Sequence, residues 1–386
     1  MTGMTKPKTP DLDQRFGDSI DVAIEKALAE QRIVGCVVLV ADDGELVYER
    51  AAGHADREAG LPVKPDTAFR FASVTKPFTT MAALKLMEAG RLSPEDRVTD
   101  HLPAFRPRLA NGTVADMRIS HLMAHLAGLD YGFNQQADGT YARAGISDGL
   151  DNAGGSLAEN LERIASVPLD QAPGEGWRYS VATDVLGAVI EAIVGEPLDK
   201  ATSELVCRPL GLDAAFVWPG DDLAIPYYDA DPQPARMTGP VEVPLPFVEG
   251  PGVRFDPGRI RLHTAWPSGG AGMAGRASDA LALLEAYRTG NFLRDDLRRA
   301  VRLPRTGAEA QMAGPGWGAS WLGAVLVDPG TASSAWSRGS VSWGGVYGNW
   351  WGIDFARKRT VVSLTNTAYE GMIGEFSRDI AAAAAM

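Results

Sequence analysis

Ser73-Val74-Thr75-Lys76 is the one Ser-x-x-Lys string in the chain. At this spacing the two side chains lie on one face of a helix, a turn apart. A serine hydroxyl is a weak nucleophile until a base removes its proton. A lysine in a dry cleft gives up its own proton more readily and can be that base. At a helix start, backbone N–H groups and the positive dipole end face the serine, where acyl transfer develops negative charge. The spacing by itself is weak evidence, since roughly 0.4 such matches are expected by chance. A plainer account is a helix-capping serine and a solvated lysine. Placement favours chemistry: the string follows the short stretch Phe69-Arg70-Phe71-Ala72 and precedes Pro77, which suits a first helical turn.

Other chemistries find little support. No Gly-x-Ser-x-Gly elbow is present, no Walker A loop, and no Gly-x-Gly-x-x-Gly placed to open a βαβ unit. Cys36 sits in the apolar run Val34–Ala41 and Cys207 at an apolar helix end, so both read as small core residues. The five histidines form no HExxH pair, and no metal or cofactor is expected. Lysine and arginine number 37 against 49 acids, a net charge of −12, which repels a phosphate backbone. Nucleic acid is therefore excluded as a partner. No apolar run approaches the roughly 18 residues of a bilayer span. The first ten residues lack the apolar segment of a secretory signal, which makes the cytoplasm the expected compartment.

The elements that must position Ser73 and Lys76 follow from periodicity. Residues 14–32 have a helical apolar face of Ile20, Ala23, Ile24, Ala27 and Leu28. Two strands, Gly35–Ala41 and Glu45–Ala51, flank Asp43-Gly44, a hairpin signal. Phe69–Phe71 reads as a third strand, and a helix runs from Pro77 to Gly90. From about 91 to 300 short helical pieces alternate with Gly, Pro and Asp clusters, as in Ile119–Ala127, Leu157–Ile164, Ala182–Val194 and Ala280–Arg288. The Pro-rich stretch Trp218–Pro244 reads as loop. Strands return at Ser320–Val327, Ala335–Arg338, Val346–Phe355 and Thr360–Thr365, before a last helix near 370–384. Strands at both ends with helices between predict an α+β fold: one antiparallel sheet built from both termini, with an inserted helical region. The expected division is a sheet domain of 1–90 and 301–386, a mainly helical domain of 91–300, and an active site in the cleft between them.

The string Phe-Arg-Phe-Ala-Ser-Val-Thr-Lys-Pro-Phe resembles the serine β-lactamase and penicillin-binding-protein superfamily. It is most similar to the class C branch and its relatives, the family VIII carboxylesterases. The likeness covers nearly the whole chain. His121-Leu122-Met123-Ala124-His125-Leu126-Ala127-Gly128-Leu129 resembles the family's "HLLTHTSGL" segment, and Pro209-Leu210-Gly211-Leu212 its "PLGM" turn. Ser268-Gly269-Gly270-Ala271-Gly272-Met273 resembles the Gly-rich stretch before a helix that carries Ser278-Asp279. The resemblance implies the β-lactamase fold with Ser73 as nucleophile and Lys76 as its partner.

Two further elements follow from the same resemblance. Tyr179-Ser180-Val181, after Pro173-Gly174, stands where the class C branch has Tyr-x-Asn, which makes Tyr179 the third catalytic residue. A neighbouring lysine cation favours a tyrosine's phenolate. Val181 replaces the asparagine that would bond a substrate amide. Trp343-Gly344-Gly345 stands where the family has Lys-Thr-Gly, and the indole offers an apolar wall in place of a cation. Trp-Gly-Gly resembles the esterase branch. The implied oxyanion hole is the backbone N–H of Ser73 and Val346; Trp343, Gly344, Gly345 and Tyr131 would touch substrate. His125 reads as structural, in one helix with His121.

Together these features predict a serine carboxylesterase on short-chain esters, with a small-molecule ester as its partner and weak or no β-lactamase activity. A β-lactamase, a D-amino-acid peptidase or amide hydrolase, and an acyltransferase are alternatives on the same fold. A non-catalytic binding protein is disfavoured by the intact Ser73, Lys76 and Tyr179. Which of Lys76 and Tyr179 takes the first proton stays open at this level.

Overall fold

Cys36, Val38 and Val40 face one way and Val37, Leu39 and Ala41 the other, because side chains alternate along a strand, and the two sets enter different cores. The computed structural model describes residues 11–386 apart from 153, 247–249 and 311. Residues 1–10, where a loose start is expected, lie outside the described residues, and a helix at Asp11–Ala29 follows them. In chain order the strands are β1 (Gly35–Asp42), β2 (Glu45–Asp56), β3 (Leu61–Pro62), β4 (Ala68–Arg70), β5 (Tyr227–Tyr228), β6 (Ala235–Arg236) and β7 (Val241–Val243). They continue with β8 (Val253–Phe255), β9 (Ala274–Arg276), β10 (Trp317–Ala319), β11 (Ala324–Leu326), β12 (Val341–Gly345), β13 (Asn349–Asp354) and β14 (Arg359–Thr365). The main sheet is antiparallel, in the order β10-β11-β12-β13-β14-β1-β2-β3. Both termini build it: β1 pairs with β14 through seven residues, Cys36 opposite Thr365 to Asp42 opposite Arg359.

One face of this sheet packs on Asp11–Ala29 and on the last long helix, Glu375–Ala384, through Ile20, Ile24, Phe376 and Ile380. The opposite face packs on helix Thr75–Glu88, which is buried on nearly every side. A central strand and helix of this kind read as apolar runs because no face meets water. Each Val or Leu so buried contributes roughly 1.5–3 kcal/mol. The turn between β1 and β2 is the expected one, with Asp43 at φ 50° and Gly44 at φ 93°, the doubly positive geometry of a tight hairpin. Cys36 and Cys207 are free and buried, and burial pushes both thiols up to about 12.

Several elements differ from the sequence reading. The stretch 69–71 does not join the main sheet; β4 pairs with β9, with Phe69 opposite Gly275, 206 positions further on, and one turn from Ser73. Ser320–Val327 breaks at Ser320, whose hydroxyl accepts from Leu322 and Gly323 N–H and donates to the Gly323 carbonyl, a local alternative to the ladder. Ala335–Arg338 is loop, tied by Trp336 Nε1 to the Ala381 carbonyl and by Ser337 N–H to Asp354. The strand expected from Val346 starts at Asn349, because Gly348 closes a turn onto the Gly345 carbonyl at 2.8 Å. The helix expected to reach Ala127 ends at Met123, and His125 lies beyond it at φ 54°. Helices 182–194 and 157–166 form at or within two residues of the expected bounds. Trp350 packs edge-on against Trp336 while Trp351 is buried on the opposite face.

Candidate active site

Ser73 is the middle residue of a 3₁₀ turn, Ala72–Val74, that runs into helix Thr75–Glu88. Ala72 before it has φ 45°, a left-handed conformation that costs a non-glycine residue roughly 1–3 kcal/mol. The surroundings hold this turn from three sides. Phe71 N–H donates to the Met273 carbonyl at 2.9 Å, and Met273 N–H donates to Thr75 Oγ1 at 3.1 Å. Asn349 on β13 donates its amide to the Arg70 and Phe71 carbonyls at 2.8 and 3.2 Å. On β12, a Cβ at Gly345 would collide with the Phe71 carbonyl oxygen.

The Lys76 ammonium reaches three oxygens: Ser73 Oγ at 3.2 Å, Tyr131 Oη at 3.0 Å and the Gly270 carbonyl at 2.9 Å. Both Ser73 and Lys76 are buried. Tyr179, just before helix 182–194, donates its hydroxyl to Ser73 Oγ at 2.6 Å. Its ring lies 4.7 Å from Lys76 Nζ, within reach of a cation–π attraction. Trp343 on β12 donates its indole N–H to the Tyr179 oxygen at 3.2 Å. Ser73, Lys76, Tyr179 and Trp343 thus form one hydrogen-bonded chain, although Tyr179 lies 106 and Trp343 270 positions from Ser73 in sequence.

Neither the Ser73 nor the Val346 backbone N–H donates to another group among the described residues. Val346 sits in the turn after β12, and its carbonyl accepts from Tyr369 N–H at 3.2 Å. A serine oxygen with a phenol and an ammonium beside it is arranged to pass its proton and attack a carbonyl. Free amides near it suit an oxyanion.

Tyr131, Val181, Gly344 and Gly345 are each packed closely against protein. Tyr131 is buried, stacked on Phe133 at 4.6 Å, and bonded to Lys76, so its hydroxyl backs the lysine. Burial first, then the nearby Tyr179, Asp184 and Asp148, hold the Tyr131 phenol well above its ordinary range. Val181 is fully buried at the head of helix 182–194, its N–H on the Asp130 carbonyl; its side chain joins the core. Where a side chain would stand at Gly344 and Gly345, protein fills the space: a Cβ on Gly344 would meet Met372 and the Asn349 carbonyl, and one on Gly345 the Phe71 carbonyl. Tight packing of β12 on the nucleophile turn accounts for Gly345, and packing on Met372 and Asn349 for Gly344.

His125 packs its ring 4.9 Å from that of Tyr179, with Nδ1 3.3 Å from Ser180 Oγ. Burial, then the Lys76 charge, hold its imidazole well below the ordinary range, so it is neutral. Sequence reading missed Asn349, the Gly270 carbonyl and Asp184. Asp184 is fully buried; its Oδ1 accepts from Ser268 Oγ at 2.7 Å and Gly270 N–H at 3.1 Å. The Gly-rich string 268–273 was the available signal, but no spacing rule links it to Asp184. Ser278-Asp279 lies at a helix head, where Asp279 accepts from Arg276 and Asp213 N–H. Among the described residues, no group of three or more His, Cys, Asp or Glu could hold a metal ion, and no helix is long and apolar enough to cross a membrane.

Comparison with known proteins agrees with this geometry. Residues 20–386 match the family model described as Beta-lactamase. The chain is 49% identical over 358 residues to Esterase EstB of Burkholderia gladioli, covering 92% of this chain and 91% of that protein. It is 28% identical over 374 residues to Protein Rv1367c of Mycobacterium tuberculosis (strain ATCC 25618 / H37Rv), covering 87% and 86%. Among solved structures, "EstCE1, a hydrolase with promiscuous acyltransferase activity" aligns with a TM-score of 0.94 at 40% identity, covering 97% of this chain and 99% of that one. Simvastatin synthase (LovD) from Aspergillus terreus shares the fold at a TM-score of 0.74 and 21% identity, covering 96% and 98%. With a family model spanning all but the first residues and near-half identity to one member over nine-tenths of its length, this chain belongs to the β-lactamase family.

Proposed function

We propose that this protein is a serine carboxylesterase that hydrolyses short-chain esters through an acyl-enzyme on Ser73. The observation that carries this reading is the Tyr179 oxygen, 2.6 Å from Ser73 Oγ and bonded to the indole of Trp343, where β-lactam hydrolysis would want a cation. Ser73 Oγ passes its proton to the Lys76–Tyr179 pair and attacks the ester carbonyl. The Ser73 and Val346 N–H groups hold the oxyanion. Collapse of the tetrahedral intermediate breaks the ester C–O bond, and the proton held at Tyr179 passes to the leaving alkoxide. Water then attacks the acyl-enzyme and gives its proton to Tyr179; as the Oγ–acyl bond breaks, Tyr179 returns that proton to Ser73 Oγ and the acid leaves. Trp343 offers the substrate an apolar edge and no charge for a carboxylate, so β-lactamase activity is weak or absent.

The cleft lies between a sheet domain, 1–90 and 301–386, and a mainly helical domain, 91–300. The first supplies Ser73, Lys76, Trp343 and Val346, and the second Tyr131, Tyr179 and Gly270. Acyl transfer to an alcohol is a second reading. It differs only in what attacks the acyl-enzyme, and the 40%-identical EstCE1 carries such activity in its description.

Hydrolysis of p-nitrophenyl butyrate beside nitrocefin, with wild type and Ser73→Ala, tests the reading. Ester turnover lost in the variant, with little nitrocefin turnover in either, is expected. Turnover that survives Ser73→Ala would overturn it.

A further inference from the structure

The Gly270 peptide connects two groups that no sequence rule pairs. Its carbonyl accepts from Lys76 Nζ at 2.9 Å, and its N–H donates to Asp184 Oδ1 at 3.1 Å. Ser268 Oγ donates to the same carboxylate oxygen at 2.7 Å, and its hydroxyl also accepts from Ala271 N–H at 3.1 Å. Asp184 therefore shapes the turn whose carbonyl seats the lysine. The other oxygen, Oδ2, is buried and has no hydrogen-bond partner among the described residues. It lies 3.0 Å from where a Cβ on Gly270 would stand, and the Tyr131 hydroxyl lies 3.1 Å from the same point. Oδ2 and the Tyr131 hydroxyl thus both lie against the Gly270 backbone.

We propose that Asp184 is a positioning residue that seats Lys76 beside Ser73 through the Gly270 peptide. This rests on the esterase reading of the site. The hydrogen-bond inventory supports it. An ammonium has three donors and no acceptor, and Lys76 faces three oxygens, of which the Gly270 carbonyl can only accept. The groups facing Lys76 are Tyr131, Tyr179 and His125; His125 is neutral and Tyr131 stays a phenol. Asp184 has the Lys76 and Arg259 cations in range, and Asp148 is the other carboxylate acting on Tyr131. Burial pushes the Asp184 carboxyl above its ordinary range, while the Ser268 and Gly270 donors and then Lys76 and Arg259 oppose that push.

Asp184→Asn is the direct test, because its amide oxygen can keep both bonds at Oδ1 while an NH₂ replaces the free oxygen. The readout is the pH profile of kcat/KM with p-nitrophenyl butyrate, on variants whose thermal midpoint confirms folding. Removal of the counter-charge is expected to lower kcat about tenfold and to move the alkaline limb down by roughly one pH unit. A folded variant with an unmoved profile would overturn the proposal even if its rate fell, since a merely structural role shifts no limb. If Asp184→Asn does not fold, Ser268→Ala takes its place. That change removes a donor to the carboxylate, so the acid limb is expected to rise; an unmoved limb again overturns the proposal. Failure of the esterase reading looks different. It appears as turnover in Ser73→Ala, with Asp184 intact.

Discussion

Trp343 shows how one residue changes what a site can do. A lysine in its place would present a cation to the substrate. The indole instead turns its single donor onto the Tyr179 oxygen and its apolar edge outward. A hydrogen bond to a group that becomes charged is worth roughly 1.5–3 kcal/mol. Trp343→Phe keeps most of the wall and loses that bond. Its kcat on p-nitrophenyl butyrate should fall about 10- to 100-fold with little change in KM, since 1.4 kcal/mol is a factor of ten. Steady-state kinetics decide it; an equal loss carried by KM would make Trp343 a substrate wall and no more. Tyr131 is the converse case. Its hydroxyl serves Lys76 from inside the protein.

At the level of elements, the nucleophile turn is held in a strained shape by strands that approach it without side chains. Ala72 stays at φ 45° because Met273, Asn349 and Gly345 fix the carbonyls and amides around it. Gly345→Ala puts a methyl group into the Phe71 carbonyl. The turn or β12 must then shift, at a cost of about 1–3 kcal/mol, and a fraction of an ångström at Ser73 costs kcat. A lower thermal midpoint together with a lower kcat is expected. Asn349→Ala removes two bonds to the same turn and leaves the Arg70 carbonyl short of its amide donor, while Phe71 keeps the Val74 N–H, for about 1–3 kcal/mol of stability. Chemical denaturation measures it, and a variant as stable as wild type would show that β13 does not clamp the turn.

On the scale of the molecule, the sheet divides two cores and the site lies at the end of one of them, under loops that carry buried charge. Asp148 is an example. It accepts from Gly132 and Phe133 N–H at 2.8 and 3.2 Å and so holds the loop that carries Tyr131. Burial pushes its carboxyl up from 3.8 to about 7. The folded protein therefore keeps a proton that the unfolded chain releases near 3.8. Asp148's contribution to stability is complete below that pH and is lost as pH rises through about 7. The stability gained by Asp148→Asn over wild type should be larger at pH 8 than at pH 5, by about 2 kcal/mol. Denaturation of both proteins at the two pH values tests this, and a pH-independent difference would contradict it.

The sequence by itself determined the parts whose cause is local. Ser73 and Lys76 meet because three residues of helix bring them together. The Asp43-Gly44 hairpin and helix 182–194 form where local periodicity and turn chemistry put them. The sheet shared by both termini was also legible, because apolar strand runs cluster at the two ends of the chain. Tertiary structure decided the rest. Whether Tyr131 lines the cleft or backs the lysine depends on where the 130–133 loop lands. So does the role of each glycine in Trp343-Gly344-Gly345, which protein atoms crowd from Phe71 and Met372. The partners of Lys76 come from positions 73, 131 and 270, and the carboxylate behind them from 184. Residues that far apart along the chain share no helical or strand period, and only packing brings their oxygens to one nitrogen.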